Sequence, residues 1–240
     1  MAKRAAFYVD GFNLYHGICD LQAQTSKLEP MPPNKAHLKW FSIWAYAEFI
    51  TKHLGESIEK VHYFSALATH MPGGVGRHQT YLRALKSTGV QYNLGTFKAK
   101  EKRLSFNRLD KSGTPYATAK FNWTTHEEKE TDVSIAIQLI QDAVDNVADV
   151  FYVISADTDL APAIKLLRAR YPTIEYVPVL PPKRTQNNEL KRLSSRPGKH
   201  MEMNEANVAK CRLPEQITDA SGTFTCPPEY QIQVPPAQKP

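Results

Sequence analysis

Four short runs, AAFYV at residues 5–9, KVHYFSAL at 60–67, DVFYVIS at 149–155 and IEYVPVL at 174–180, are rich in β-branched and aromatic residues, and several are apolar at consecutive positions. A strand with one wet face alternates apolar with polar, whereas a strand apolar on both faces has to be covered from both sides. That is the situation of parallel strands between two layers of helices. Stretches of helical periodicity separate the runs, at residues 40–54, 77–85, 132–147 and 160–170. The order is β-α-β-α, an excursion, then α-β-α-β, and it predicts an α/β fold with a doubly wound, mostly parallel sheet flanked by helices.

The excursion, residues 90–125, reads as strands around a turn at DKSG, an inserted basic β-ribbon. Between Phe97 and Thr125 it carries Lys98, Lys100, Lys102, Arg103, Arg108, Lys111 and Lys120 against Glu101 and Asp110, with Phe97, Phe106, Tyr116, Phe121 and Trp123 interleaved. Cations that neutralise phosphates and rings that stack on bases suit a nucleic-acid strand. A solvated ribbon whose rings pack on the main domain fits the same residues. After Pro214 the composition turns to proline and polar residues (CPPEYQIQVPPAQKP), so we expect one domain over 1–213 and a wrapping or disordered tail over 214–240.

Hydrophobic residues at 42% and charged residues at 22% fit a folded soluble chain and exclude wholesale disorder. The net charge of +6 leans toward an acidic partner, nucleic acid before membrane. Cys19, Cys211 and Cys226 are too scattered for a disulfide framework or a Cys/His zinc site, which leads us to expect a reducing compartment, the cytoplasm. The first apolar run stops at Asp10, too short for a signal peptide, and no run reaches the roughly 20 apolar residues of a membrane span.

Chemistry gathers on acids placed just beyond buried strands. YVDGFN ends a strand in Asp10, where open α/β sheets bind ligands, with Gly11 permitting a tight exit and Asn13 set to orient a group at the same point. FYVISADTDL repeats the arrangement with Asp157 and Asp159. Any of these acids is also a plain helix cap, although two exceed what one cap needs. In EKETDVSIAIQLIQDA the expected buried stripe is Val133, Ala136, Ile137, Ile140 and Ala143, continuing to Val147, and Asp132 stands at its edge, pointing toward the sheet. The competing reading is a Thr131 cap with Asp132 complementing the helix dipole.

If these acids converge, magnitude decides. Two like charges about 4 Å apart repel by roughly 4 kcal/mol at an effective dielectric near 20, so such a cluster takes up protons or binds a cation. All-oxygen donors Asp10, Asp132, Asp157 and Asp159 fit Mg2+ or Mn2+ rather than zinc, and phosphodiester hydrolysis is the natural reaction. Lys129 is near enough in sequence to reach a phosphate; a solvated lysine fits equally. MPGGVGRHQ lacks the ending of a phosphate loop and reads as a mobile loop in which Arg77 and His78 face substrate or solvent. Lys183 and Arg184, in PPKRTQNNELKR, follow a strand where a nucleic-acid backbone can pass. A phosphatase of the haloacid-dehalogenase type fits less well, because Phe12 stands where its motif needs a second aspartate. Binding of RNA without cleavage stays open as the alternative function.

VDGFNLY with Asp10 and Asn13, KETDVSIAIQLI with Lys129 and Asp132, and VISADTDLAPAIKLLR with Ser155, Asp157 and Asp159 together resemble the NYN branch of the PIN-like nucleases, the group that includes LabA-type proteins. The resemblance spans residues 5–214. It implies a compact α/β fold whose acids surround a divalent cation, and cleavage of RNA or single-stranded nucleic acid. It also places Lys129 and Ser155 at the substrate. Glu130, Thr131 and Ala156 depart from it, standing where such proteins often carry glycine.

Overall fold

The computed structural model describes residues 2–21, 35–109, 111–196 and 198–232. In chain order it contains β1 (Arg4–Asp10), α1 (Gly11–Asp20), α2 (Ile43–Leu54), β2 (Ser57–Ala66), α3 (Pro72–Ser87), β3 (Gln91–Leu109), β4 (Pro115–Lys129), α4 (Thr131–Val144), β5 (Val150–Ile154), α5 (Ala161–Arg170), β6 (Glu175–Leu180), α6 (Asn188–Arg192), β7 (Met201–Glu202), α7 (Glu205–Lys210), β8 (Gln216–Asp219) and β9 (Gly222–Thr225). Seven strands form one sheet in the order β4-β3-β2-β1-β5-β6-β7, parallel except where β4 runs against β3. The doubly wound α/β architecture expected from the apolar runs is the one observed.

β1 shows why those runs are continuous. Ala5, Phe7 and Val9 enter a core shared with Leu14, Ile18, Ile50 and Leu85, from α1, α2 and α3. Ala6 and Tyr8 enter a second core with Ile135, Leu139, Ile164 and Leu167, from α4 and α5. Each large apolar side chain buried this way stabilises the fold by about 1.5–3 kcal/mol, so exposing either face costs more than any local preference could return.

Two local expectations are corrected, and one alternative is met: Asp10 is also a helix cap, its carboxylate accepting the Asn13 N–H at the start of α1, a helix the periodicity did not announce. The glycine-rich MPGGVGRHQ is the first part of α3 rather than a mobile loop. Pro72 sits in its first turn, where a missing N–H costs nothing. On α4 the buried residues are Thr131, Ile135, Leu139, Asp142 and Ala143, while Val133 and Ile137 are 62% and 64% exposed. The helix is apolar on two faces, so periodicity alone admitted two stripes. The choice is made by Asp142, buried and bonded to the Tyr8 hydroxyl at 2.9 Å and to the Lys60 ammonium at 2.8 Å.

β3 pairs in parallel with β2 from His62–Gln91 to Ala66–Gly95, then runs on past the end of β2, paired antiparallel with β4 from Thr96–Lys129 onward. The basic excursion therefore grows directly out of the sheet as an arm. Gly95 permits this, since a Cβ there would lie 2.4 Å from the Lys129 carbonyl and force the base of the arm apart. The expected turn at DKSG includes Asp110, and the side chains of Phe106 and Tyr116 likewise lie outside the described residues. Beyond Pro214, β8 and β9 pack on α3 through Arg83–Asp219 contacts of 2.6 Å, and Cys226 joins a small core with Trp40 and Leu213; residues 233–240 lie outside the described part.

Candidate active site

From β1 the chain steps to β2 and β3 on one side of the sheet, and from β5 to β6 and β7 on the other. β1 and β5 are thus the switch point at which an open α/β sheet leaves a crevice outside its carboxyl ends. Asp10 ends β1, and Asp157 follows β5 by three residues.

Asp10 is 2% exposed. Its Oδ1 accepts the Asn13 N–H at 3.0 Å, and its Oδ2 accepts the Asn13 side-chain amide at 2.6 Å and the Ser155 hydroxyl at 2.8 Å. The Ser155 oxygen in turn accepts the Asp157 N–H at 3.0 Å, and Asp157 Oδ1 accepts the Asp159 N–H at 2.9 Å. One hydrogen-bonded chain therefore joins the ends of β1 and β5. Ser155 is wholly buried within it, which corrects the expectation that it meets nucleic acid: it positions Asp10 and Asp157. Asn13 offers Asp10 its amide hydrogens, so it orients the acid rather than a ligand.

Gly11 is needed for this exit. A Cβ on it would come within 2.5 Å of the Tyr63 ring and 2.6 Å of the Phe64 carbonyl. Burial raises the Asp10 carboxyl above its ordinary value against the opposing hydrogen bonds of Asn13 and Ser155, and the Asp157 charge adds to the rise. Asp132, half-buried at the start of α4, is pushed up to about 6 by burial and then by the charges of Asp10, Asp157, Glu128 and Asp159. The geometry beside this shift is that α4 packs on β1 and on the turn after β5, the elements that carry Asp10, Asp157 and Asp159.

Glu128 is the acid that sequence reasoning missed. Its carboxylate accepts the N–H and hydroxyl of Thr131, so it caps α4 in the role expected of Thr131, which is itself the first helical residue. The sequence carries no signal for it, because its role depends on the pairing that sets it opposite Phe97, on the arm face turned toward Phe12 of α1.

Three of the four basic candidates have carboxylate partners. The Lys129 ammonium lies 3.2 Å from Glu127, Arg77 pairs with Glu229 at 2.8 Å, and Arg184 with Asp20 at 3.1 Å. Lys183 is exposed, in a left-handed backbone conformation with φ 62°. His78 packs on the Ser65 hydroxyl at 3.5 Å, and burial lowers its proton affinity.

Among the described residues, no three His, Cys, Asp or Glu side chains are gathered closely enough to enclose a metal ion. The donor chemistry still fits a hard cation of the Mg2+ kind, which keeps several waters and takes one or two carboxylates plus substrate phosphate oxygens rather than an all-protein cage. Asp10 Oδ1, with one hydrogen bond, keeps a lone pair for such a ligand.

The sequence model of the NYN domain matches residues 4–196. The chain is 26% identical over 235 residues to 6-hydroxy-3-succinoylpyridine 3-monooxygenase HspA of Pseudomonas putida, covering 92% of this chain and 73% of that one. A crystal structure of a protein of unknown function from Vibrio parahaemolyticus superposes with a TM-score of 0.51 at 15% identity, over 85% of this chain and 94% of the other, a likeness of fold alone.

Proposed function

The chain belongs to the NYN domain family of PIN-like nucleases, and from that membership and its acidic crevice we propose that it hydrolyses phosphodiester bonds of RNA or single-stranded nucleic acid with Mg2+ or Mn2+. The observation that carries the reading is that Asp132, brought by α4, lies in the field of Asp10, Asp157 and Asp159, brought by β1 and the exit from β5. Mutual repulsion among carboxylates is relieved by a proton or a cation, and the groups present are oxygen donors.

Asp10, Asp132, Asp157 and Asp159 would hold the ion, which when bound supplies charge for a phosphoryl oxygen and a more acidic water. Hydrogen bonds from Asn13 and Ser155 favour the ionised form of Asp10 against its burial and aim the carboxylate. Burial and the neighbouring carboxylates raise the Asp132 carboxyl to about 6, so a cation held there would compete with a proton as pH falls toward that value. Lys183 is free to meet a phosphate, whereas Lys129, Arg77 and Arg184 would first have to leave their carboxylate partners.

A second reading, nucleic-acid binding without cleavage, is favoured by the absence of a gathered ligand set among the described residues. Labelled single-stranded RNA and DNA incubated with protein and Mn2+, Mg2+ or chelator separate the two. We expect metal-dependent fragments that disappear in Asp10→Asn; equal cutting by that variant rejects the assignment, and tight binding with no product favours the second reading. Oxygen uptake with 6-hydroxy-3-succinoylpyridine, the compound in the relative's name, is the third arm.

A further inference from the structure

We propose that one face of the β3–β4 arm is a docking track for single-stranded nucleic acid, leading the strand to the acidic crevice; this rests on the nuclease reading and names where its substrate is held. Residues directly opposite in an antiparallel pair share a face, as do alternate residues along a strand. The pairs Lys98–Glu127, Lys100–Thr125, Lys102–Trp123 and Leu104–Phe121 therefore lie on one face, with Lys129 beside them at the base.

The other face is the one tied to the body. Phe97 meets the Phe12 ring edge-on at 5.6 Å, and His70 lies 5.1 Å from Phe97 and stacks on His126 at 3.7 Å. The lysine face is left to solvent, with Phe121 and Trp123 59% and 39% exposed and in contact with each other at 5.6 Å. With Leu104, opposite Phe121 and 51% exposed, the two rings form a contiguous apolar patch of the kind that marks a binding surface.

Charge names the partner. Glu127 lies 3.0 Å from Lys100, 3.8 Å from Lys102 and 3.2 Å from Lys129, so a single carboxylate serves three ammonium groups and Lys98 adds a fourth cation. Hydrogen bonds from Lys100 and Lys129 hold the Glu127 carboxyl below its ordinary value, so it stays ionised and the face keeps its cationic excess. Side chains two apart stand about 6.8 Å apart along a strand, so Lys98 to Lys102 covers about 14 Å, the length of roughly four stacked nucleotides. Flat rings beyond a row of cations suit bases that are unpaired, because a duplex keeps its base faces inside the stack. The row starts at Lys129, three residues before Asp132, so a strand lying on it continues toward the crevice.

The test is fluorescence anisotropy of labelled U12 RNA and T12 DNA, in chelator so that nothing is cut, at several salt concentrations. In the triple variant Lys98→Ala, Lys100→Ala, Lys102→Ala the slope of log affinity against log salt should become shallower by about 2, three phosphates at ~0.7 each. Arginine at the same positions should restore it. Trp123→Ala should weaken binding on the order of tenfold at constant slope. All of these positions are exposed, and thermal melts check that the variants fold like the parent. Unchanged affinity and slope in the triple variant overturn the track, as does a parent that binds neither strand. A concentration-dependent oligomer that Trp123→Ala dissociates also overturns it, because the rings would then belong to a second copy. If the parent cuts RNA but the triple variant binds like it, the track fails and the nuclease reading stands. If the track binds and Mn2+ yields no fragments, the nuclease reading fails and the track stands.

Discussion

Replacing Asp132 by asparagine should make the protein more stable at the same time as it removes activity. The Asp132 carboxyl lies at about 6 against an ordinary 3.8, through burial and the charges of Asp10, Asp157, Glu128 and Asp159. A folded-state value above the unfolded one means that at pH 8, with both states ionised, folding carries the full cost of the charge. The cost falls as pH drops through about 6 and is gone below about 4, where both states are protonated. At about 1.4 kcal/mol per pH unit the difference amounts to roughly 3 kcal/mol, and screening at a half-exposed group reduces this to ~1.5 kcal/mol. For a chain of this size that is a rise of about 3–6 °C in Tm at pH 8. Melts of parent and Asp132→Asn in chelator at pH 8 and pH 4 measure it directly. Mn2+ should then raise the parent's midpoint and leave the variant's nearly unmoved. Equal midpoints at pH 8, or a gain undiminished at pH 4, would refute the idea that the acids strain one another in a shared crevice.

Other residues give sharper structural checks. Ser155→Ala removes the donor to Asp10 and the acceptor of the Asp157 N–H, and should cost about 1–3 kcal/mol in urea unfolding while shifting the pH profile of cleavage upward. Lys60→Met leaves Asp142 buried without its cation and should cost roughly 3–5 kcal/mol, read from the same unfolding curves. Gly11→Ala drives a methyl group into the Tyr63 ring and should cost about 1–3 kcal/mol, with a greater loss of cleavage than of stability because Asp10 is displaced.

The sheet was legible because β1, β2, β5 and β6 are buried on both faces, and burial on both faces writes itself into sequence as unbroken apolar runs. The acids were legible for a related reason. Asp10 and Asp157 follow those runs at once, so the strands that announce the fold also aim the carboxylates. What escaped was decided by contacts between distant segments. Asp142 reads as a surface residue of α4 until Lys60 and Tyr8 are seen to bury it, and only then is the inward face of the helix fixed. Ser155 reads as a substrate contact until β1 and β5 are laid side by side and its hydroxyl falls between two aspartates. Glu128 gave no signal, since its role depends on the arm folding back so that β4 delivers it to the first turn of α4. The partners of Arg77 and Arg184 were out of view because Glu229 and Asp20 are far from them along the chain.

β3 belongs to the sheet up to Gly95 and to the arm beyond it, and β4 hands over to α4 through Glu130 alone, held at φ 85°. No slack loop stands between the arm and Asp132. Any tilt of the arm has to bend a continuous strand at one root and turn Glu130 at the other, so the single residue that ends the arm also sets the direction in which α4 begins.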